Sequence, residues 1–233
     1  MNIVDIVVII LLALGAIVGY KKGFTSQLLD TVGLIVIIVL SFLLKGFITG
    51  FLYNVMPFFN FYGDFQYITS LNIILYEVVA FVLIFSILSA ILALLKATTR
   101  IFETMLNFTI ILGIPSKILG AVVGLVNNFI FIFVALYFLS LPMLGFTVIR
   151  DAAVTDKILG STPFLSNICS KSLDIFEDID DLVDEYKDKL DSDQRDEVNQ
   201  KTLQLLVDKK VIKASTANEL ISSGKLRYLT PVE

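Results

Sequence analysis

Four polar residues stand inside otherwise apolar stretches of the chain: Asp30, Glu77, Asn127 and Asn128. An ionisable group at bilayer depth faces a bundle interior or a wet cavity, because hydrocarbon offers it no partner. Carboxylates so placed can relay protons or hold cations, and the two amides can line the same path. A plainer reading stands beside this one. Asp30 and Glu77 each come seventh in their apolar segments and can reach interfacial water, and the deeper Asn pair can hydrogen-bond between helices.

Other chemistry is poorly supplied. The sequence has no histidine and one cysteine, Cys169. Without histidine, Ser-His-Asp and Cys-His mechanisms are ruled out, and the commonest metal ligand is missing. One cysteine makes no intrachain disulfide and no cysteine zinc cluster, and Cys169 reads as a small apolar residue. The acidic run from Glu177 to Asp191 lacks the glycine and ligand spacing of an EF-hand loop and reads as a solvated helix face. No Walker loop, dinucleotide fingerprint or HEXXH is present. The sequence pI is about 4.9, which argues against nucleic acid as a partner. The expectation is a chain with no catalytic residues, no metal site and no cofactor, which is not an enzyme.

The elements that must position the polar residues are legible from hydropathy. The chain has 233 residues, 56% hydrophobic and 17% charged, with net charge −4. Residues 1–141 carry 6 Lys/Arg and 5 Asp/Glu, and residues 142–233 carry 12 and 17. A lipid-facing part is thus separated from an aqueous one. Four apolar runs predict membrane-spanning helices at residues 3–20, 24–44, 71–95 and 118–141, each long enough to cross a bilayer. Lys45 ends the second, and Ser116 reads as an N-cap for the fourth. The first is not a typical cleaved signal peptide, because Lys21 and Lys22 follow it and no cleavage site appears. Residues 46–70 are aromatic-rich and read as an interfacial or re-entrant loop. Residues 101–113 read as an interfacial amphipathic helix ended by Gly113-Ile114-Pro115.

After a connecting segment, 142–171, comes a soluble helical tail, 172–233. Ile175, Phe176, Ile179, Leu182, Val183, Tyr186 and Leu190 share one face of its first helix. A second helix spans about Asp193–Lys209, and a third starts near Ser215 or Thr216, with capping-box spacing from Thr216 to Glu219 and Gly224 at its end. So small a unit leans on a partner, on the membrane part or on another copy. The fold class is all-α: a polytopic membrane protein with about four transmembrane helices and a small helical tail.

Glycines repeat every four residues at Gly15, Gly19 and Gly23, and again at Gly120 and Gly124. Small residues at this spacing form a flat stripe on which helix backbones approach closely. The stripes serve to pack the four helices together or to build a homo-oligomer. Basic residues set the orientation: Lys21, Lys22, Lys96, Arg100 and Lys117 fall on one side of a four-span layout and Lys45 alone on the other. The positive-inside rule then places the N-terminus and the tail outside.

The order of these features resembles the CvpA family, the bacterial colicin V production proteins. The features are Asp5 early in the first span, Gly-Tyr-Lys-Lys-Gly-Phe at Gly19–Phe24, a Leu-rich second segment, and Leu-Gly-Ala-Val-Val-Gly-Leu-Val at Leu119–Val126. The resemblance covers roughly residues 1–167. It implies a multi-pass protein of the bacterial cytoplasmic (inner) membrane, linked to colicin V production or export and to envelope homeostasis. It brings no catalytic residues. The expected partners are the lipid bilayer, envelope or export proteins and a second copy of the chain. The alternative function is a small transporter or channel subunit, with Asp30, Glu77, Asn127 and Asn128 along its path.

Overall fold

In the computed structural model the described residues are 2–61, 63–98, 113–141, 144, 146–160, 175, 178–186, 192–227 and 229–232. Cys169, Phe176, Leu190 and the proposed interfacial helix up to residue 112 lie outside them. Among the described residues every regular element is helical. Four helices are long and apolar enough to cross a membrane: α1 (Ile3–Lys22), α2 (Phe24–Val55), α3 (Leu71–Thr98) and α4 (Gly113–Leu139). Lipid offers no hydrogen bonds to the backbone, so an uninterrupted apolar run settles into a helix, which satisfies its own. Side-chain hydroxyls inside the runs are satisfied the same way. Thr31 donates to the Gln27 carbonyl at 3.0 Å and Ser41 to the Ile37 carbonyl at 2.6 Å.

The helix ends depart from the sequence expectation in three places. Helix α2 does not stop at Lys45 but continues to Val55. Nothing from Gly46 to Val55 breaks a helix, the first breaker being Pro57. Lys45 stays in the helix with its ammonium 4.6 Å from the Phe42 ring centroid. At 32 residues, α2 is about 48 Å long, well beyond a hydrocarbon core of ~30 Å. Helix α4 begins at Gly113, not at residue 118, with Pro115 in its first turn. Proline is tolerated there because first-turn amides have no intrahelical acceptor. Ser116 is consequently inside the helix and does not cap it. The third departure is Gly23. It is a one-residue hinge between α1 and α2, with φ 80°, and not another helical member of the stripe. A side chain there would be strained.

The chain divides into two compact units. The first comprises Met1–Gly46, Ala80–Leu139 and Val148–Leu159: α1, most of α2, α3 and α4, and two short helices, α5 (Thr147–Arg150) and α6 (Ala153–Gly160). Ile6, Ile10, Ile17, Val36 and Val39 keep about half their surface bare, as side chains that face lipid do.

The second unit comprises Phe47–Val79, Ser140–Thr147 and Gly160–Glu233. It joins the end of α2, the loop with a 3-10 turn at Gly63–Phe65, the start of α3 and the tail. The tail helices are α7 (helical at 178–186), α8 (Ser192–Asp208) and α9 (Ala214–Ser222). Ile175, Ile179 and Val183 are buried, as are Leu203, Leu206, Leu220 and Leu226. The tail is therefore no separate appendage: it shares a unit with residues 47–79. Helix α9 starts two residues before Thr216, with Lys213 at the cap position. Gly224 follows it at φ 75° and donates to the Ile221 carbonyl at 3.0 Å.

Candidate functional site

Polar side chains of the first unit gather at several places. At one, the C-terminal ends of α1 and α3 meet the start of α2. Asp30 accepts from Lys22 Nζ at 2.7 Å through one carboxylate oxygen and from Lys96 Nζ through the other. The charges are 20% to 46% exposed, so the pairs are only partly screened by water. One carboxylate thus joins three helices. Close by in sequence, the N–H of Phe24, which opens α2, donates to Ser116 Oγ on α4 at 3.2 Å. The first amides of a helix lack intrahelical acceptors, and here a neighbouring helix supplies one. Ser116 is 2% exposed, and Lys117 lies 5.9 Å from the Tyr20 ring centroid. Together these contacts set the four helices in alternating directions.

The second place is the seam between α1 and α4. The structure sets Gly15 and Gly19 against Gly120 and Gly124, backbone on backbone. A Cβ on Gly19 would fall on the Gly120 carbonyl, and one on Gly124 would fall on the Gly15 carbonyl. A Cβ on Gly120 would come within 2.8 Å of Gly23 Cα. The five glycines predicted to pack helices therefore lie in one contact within the chain. Asn128 donates across it to the Leu11 carbonyl. Neighbouring Asn127 is half-buried, and its Oδ1 has no hydrogen-bond partner among the described residues. The same holds for Gln27 Oε1, on a side chain 3% exposed.

Glu77 belongs to the second unit, where Tyr53 Oη donates to it at 3.3 Å. Asp30 belongs to the first unit, where its partners are Lys22 and Lys96. Of the four polar residues, Asp30 and Asn128 tie helices together, Glu77 meets a tyrosine, and Asn127 has an oxygen enclosed without a donor.

Sequence reasoning overlooked Asp5 as a structural residue. It is 5% exposed and accepts from the Asn2 N–H at 2.7 Å and from the Val154 N–H, in α6, at 3.1 Å. Asn2 Nδ2 donates in turn to the Val148 carbonyl at 2.7 Å. The half of this knot that lies within α1 was readable, since Asn2 and Asp5 stand at capping-box spacing. The half that reaches α6 spans about 150 residues of chain and leaves no local signal. Lys22, Lys96 and Ser116 were likewise visible as charges or a cap, but not as partners.

The knot joins the start of the first span to α6, and one comparison ends near the same point. The model of the colicin V production protein family matches residues 4–160, from the start of α1 to the end of α6. The chain is also 29% identical over 181 residues to the uncharacterized transmembrane protein YshB of Bacillus subtilis (strain 168). That similarity covers 70% of this chain and 93% of YshB. No solved structure matches. A family match over more than half of the chain, ending on the helix that Asp5 holds, identifies the protein as a member of the colicin V production protein family.

Proposed function

We propose that the protein is a non-enzymatic membrane factor that works by contact with envelope or export proteins, in the cytoplasmic membrane of a bacterium, with its N-terminus and tail outside. The observation that carries this reading is the use of Asp30. A transport carboxylate must exchange protons or ions, whereas this one is held by two ammonium groups from different helices. The glycine seam is likewise occupied within the chain, which favours intrachain packing over oligomerisation for those residues. The orientation rests on Lys21, Lys22, Lys96 and Lys117, the basic end of the bundle.

The alternative, a small transporter or channel subunit, draws on Gln27 Oε1 and Asn127 Oδ1, two enclosed oxygens without donors among the described residues. Purified protein in liposomes decides between the two, through assays of proton and solute flux. The expected result is background flux in the parent protein and in Asp30→Asn and Glu77→Gln. A specific flux that disappears in either variant overturns the scaffold reading.

A further inference from the structure

The second unit contains a cleft of about 930 Å3, walled by Phe58 and Tyr67 from the loop and by Arg195, Asp196, Lys225 and Arg227 from the tail. Its cations are unusual in their partners. The Arg195 guanidinium lies 3.7 Å from the centroid of the Tyr67 ring, and its Nε is enclosed with no hydrogen-bond partner among the described residues. Lys225 Nζ donates to the Met56 carbonyl at 2.9 Å and stands 6.0 Å from the Phe58 ring centroid. Among the described residues Arg227 Nε reaches only the Gly224 carbonyl, at 3.4 Å. Among the described residues none of the three is ion-paired. Among the described residues Asp196 is the single carboxylate that lines the cleft, so these walls carry two positive charges in excess.

Enclosed donors normally find acceptors, and leaving a charged one bare is costly. Three cations in one cleft repel one another unless an anion joins them. Guanidinium forks match the oxygens of carboxylate and phosphate alike. The excess of two charges selects between them, because a phosphate monoester carries about −1.5 to −2 near neutral pH. The geometry points to this cleft as a binding site for a phosphate monoester, with Arg195, Lys225 and Arg227 on the phosphate and Phe58 and Tyr67 flanking the group that bears it. The three cations lie beyond residue 160, where the family match ends. The cations of the site therefore belong to this chain's tail, and the assignment stands independently of whether the bundle is a scaffold or a transporter.

The ester is either soluble or the headgroup of a lipid, and two binding measurements on the full chain separate these sources. In the first, glycerol 3-phosphate is titrated by calorimetry into the protein in phosphatidylcholine nanodiscs. In the second, phosphatidic acid replaces part of the phosphatidylcholine in detergent micelles, with binding read by tyrosine fluorescence. Saturable binding in the first assigns a soluble ester, and saturable binding confined to the second assigns a headgroup. In the arm that binds, Arg227→Gln and Lys225→Gln each weaken affinity about tenfold, whereas Asp196→Asn tightens it severalfold. Arg195→Gln follows the same direction, read beside its melting curve because Arg195 also packs on Tyr67. Arg227 is exposed, so its variant reports binding without that complication. Absence of saturable binding in both arms, or affinity unchanged in both Arg227→Gln and Lys225→Gln, overturns the assignment.

Discussion

Asn199 Nδ2 donates to the Tyr67 carbonyl at 2.6 Å, and through this bond the tail is fastened to the loop ahead of α3. The same side chain accepts from the Ser70 N–H at 3.2 Å through Oδ1, and its backbone carbonyl accepts from Ser70 Oγ at 3.0 Å. Asn199 is 5% exposed and Ser70 fully buried. Asn199→Ala strips a donor from the part-buried Tyr67 carbonyl and an acceptor from the buried Ser70 N–H, a loss of about 2–4 kcal/mol. Limited proteolysis of the full chain in detergent checks it: α8 and α9 are expected to be cut sooner than in the parent. Identical cleavage rates would show that the amide does not hold the tail.

The glycine seam predicts a contrast along one chain. Gly19→Leu, or even Gly19→Ala, drives a Cβ into the Gly120 carbonyl, and overpacking of this kind costs about 1–3 kcal/mol or more. A Cβ on Gly46 would meet nothing within 4 Å, so Gly46→Ala should be neutral or gain up to about 1 kcal/mol in helix propensity. Thermal unfolding in detergent compares them. Equal melting temperatures for Gly19→Ala and Gly46→Ala would remove the seam from the account of stability.

Asp30→Asn leaves Lys22 and Lys96 facing each other without their shared carboxylate. The expected outcome is a lower melting temperature, with partial recovery when Lys96→Gln is added, because the pair of changes removes a charge left without compensation. Melting curves of the parent, both single variants and the double variant measure the coupling. Strict additivity would mean that the residues act separately.

The tail supplies a pH signature. The Glu197 carboxyl titrates below the ordinary glutamate range, first because the Tyr186 hydroxyl donates to it at 2.8 Å and second because Lys201 does so at 3.0 Å. A depressed carboxyl contributes stability that is present above its unfolded pKa and is lost as pH falls through the folded one. Lys201 is raised, chiefly by Tyr186 and then by Glu197, so its contribution is lost only under strongly alkaline conditions. Acid melting below roughly pH 4.3 should therefore be shallower in Glu197→Gln than in the parent. Superimposable acid limbs would refute the linkage.

Orientation is accessible through Cys169, the only cysteine in the sequence. A membrane-impermeant thiol reagent is expected to label it in intact cells whose outer face is accessible. Labelling seen only after lysis, with the thiol shown to be reachable, reverses the assignment.

The spans were legible because hydrocarbon demands long apolar runs, and each run is a local property of the sequence. Their ends were less so. Lys45 looked like a terminus because a charge at lipid depth is expensive, but a lysine at a helix surface can bend its ammonium away, and Phe42 lies under it. Pro115 looked like a stop, but a proline in a first turn is a start. The glycine repeat was readable because its spacing is local. Its register was not: that Gly19 meets Gly120 depends on packing across about 100 residues of chain. Asp30 shows the same limit. Its position in the sequence suggested either a path or a rim, and the two lysines that hold it come from helices that no spacing rule connects. The tail's hydrophobic faces were visible, whereas their shared unit with residues 47–79 was not.

Because α2 begins with an amide that Ser116 of α4 accepts, and α1 presents glycines that α4 covers, the order of synthesis has a cost. When the ribosome has released α1, α2 and α3, the bundle is three-quarters made, yet its first helix still carries a bare strip of main chain against lipid. Until residue 124 has left the exit tunnel and entered the bilayer, the nascent chain depends on the insertion machinery to shield that strip. Damage to the last span should consequently appear as degradation of the whole newborn protein, not as a shortened survivor.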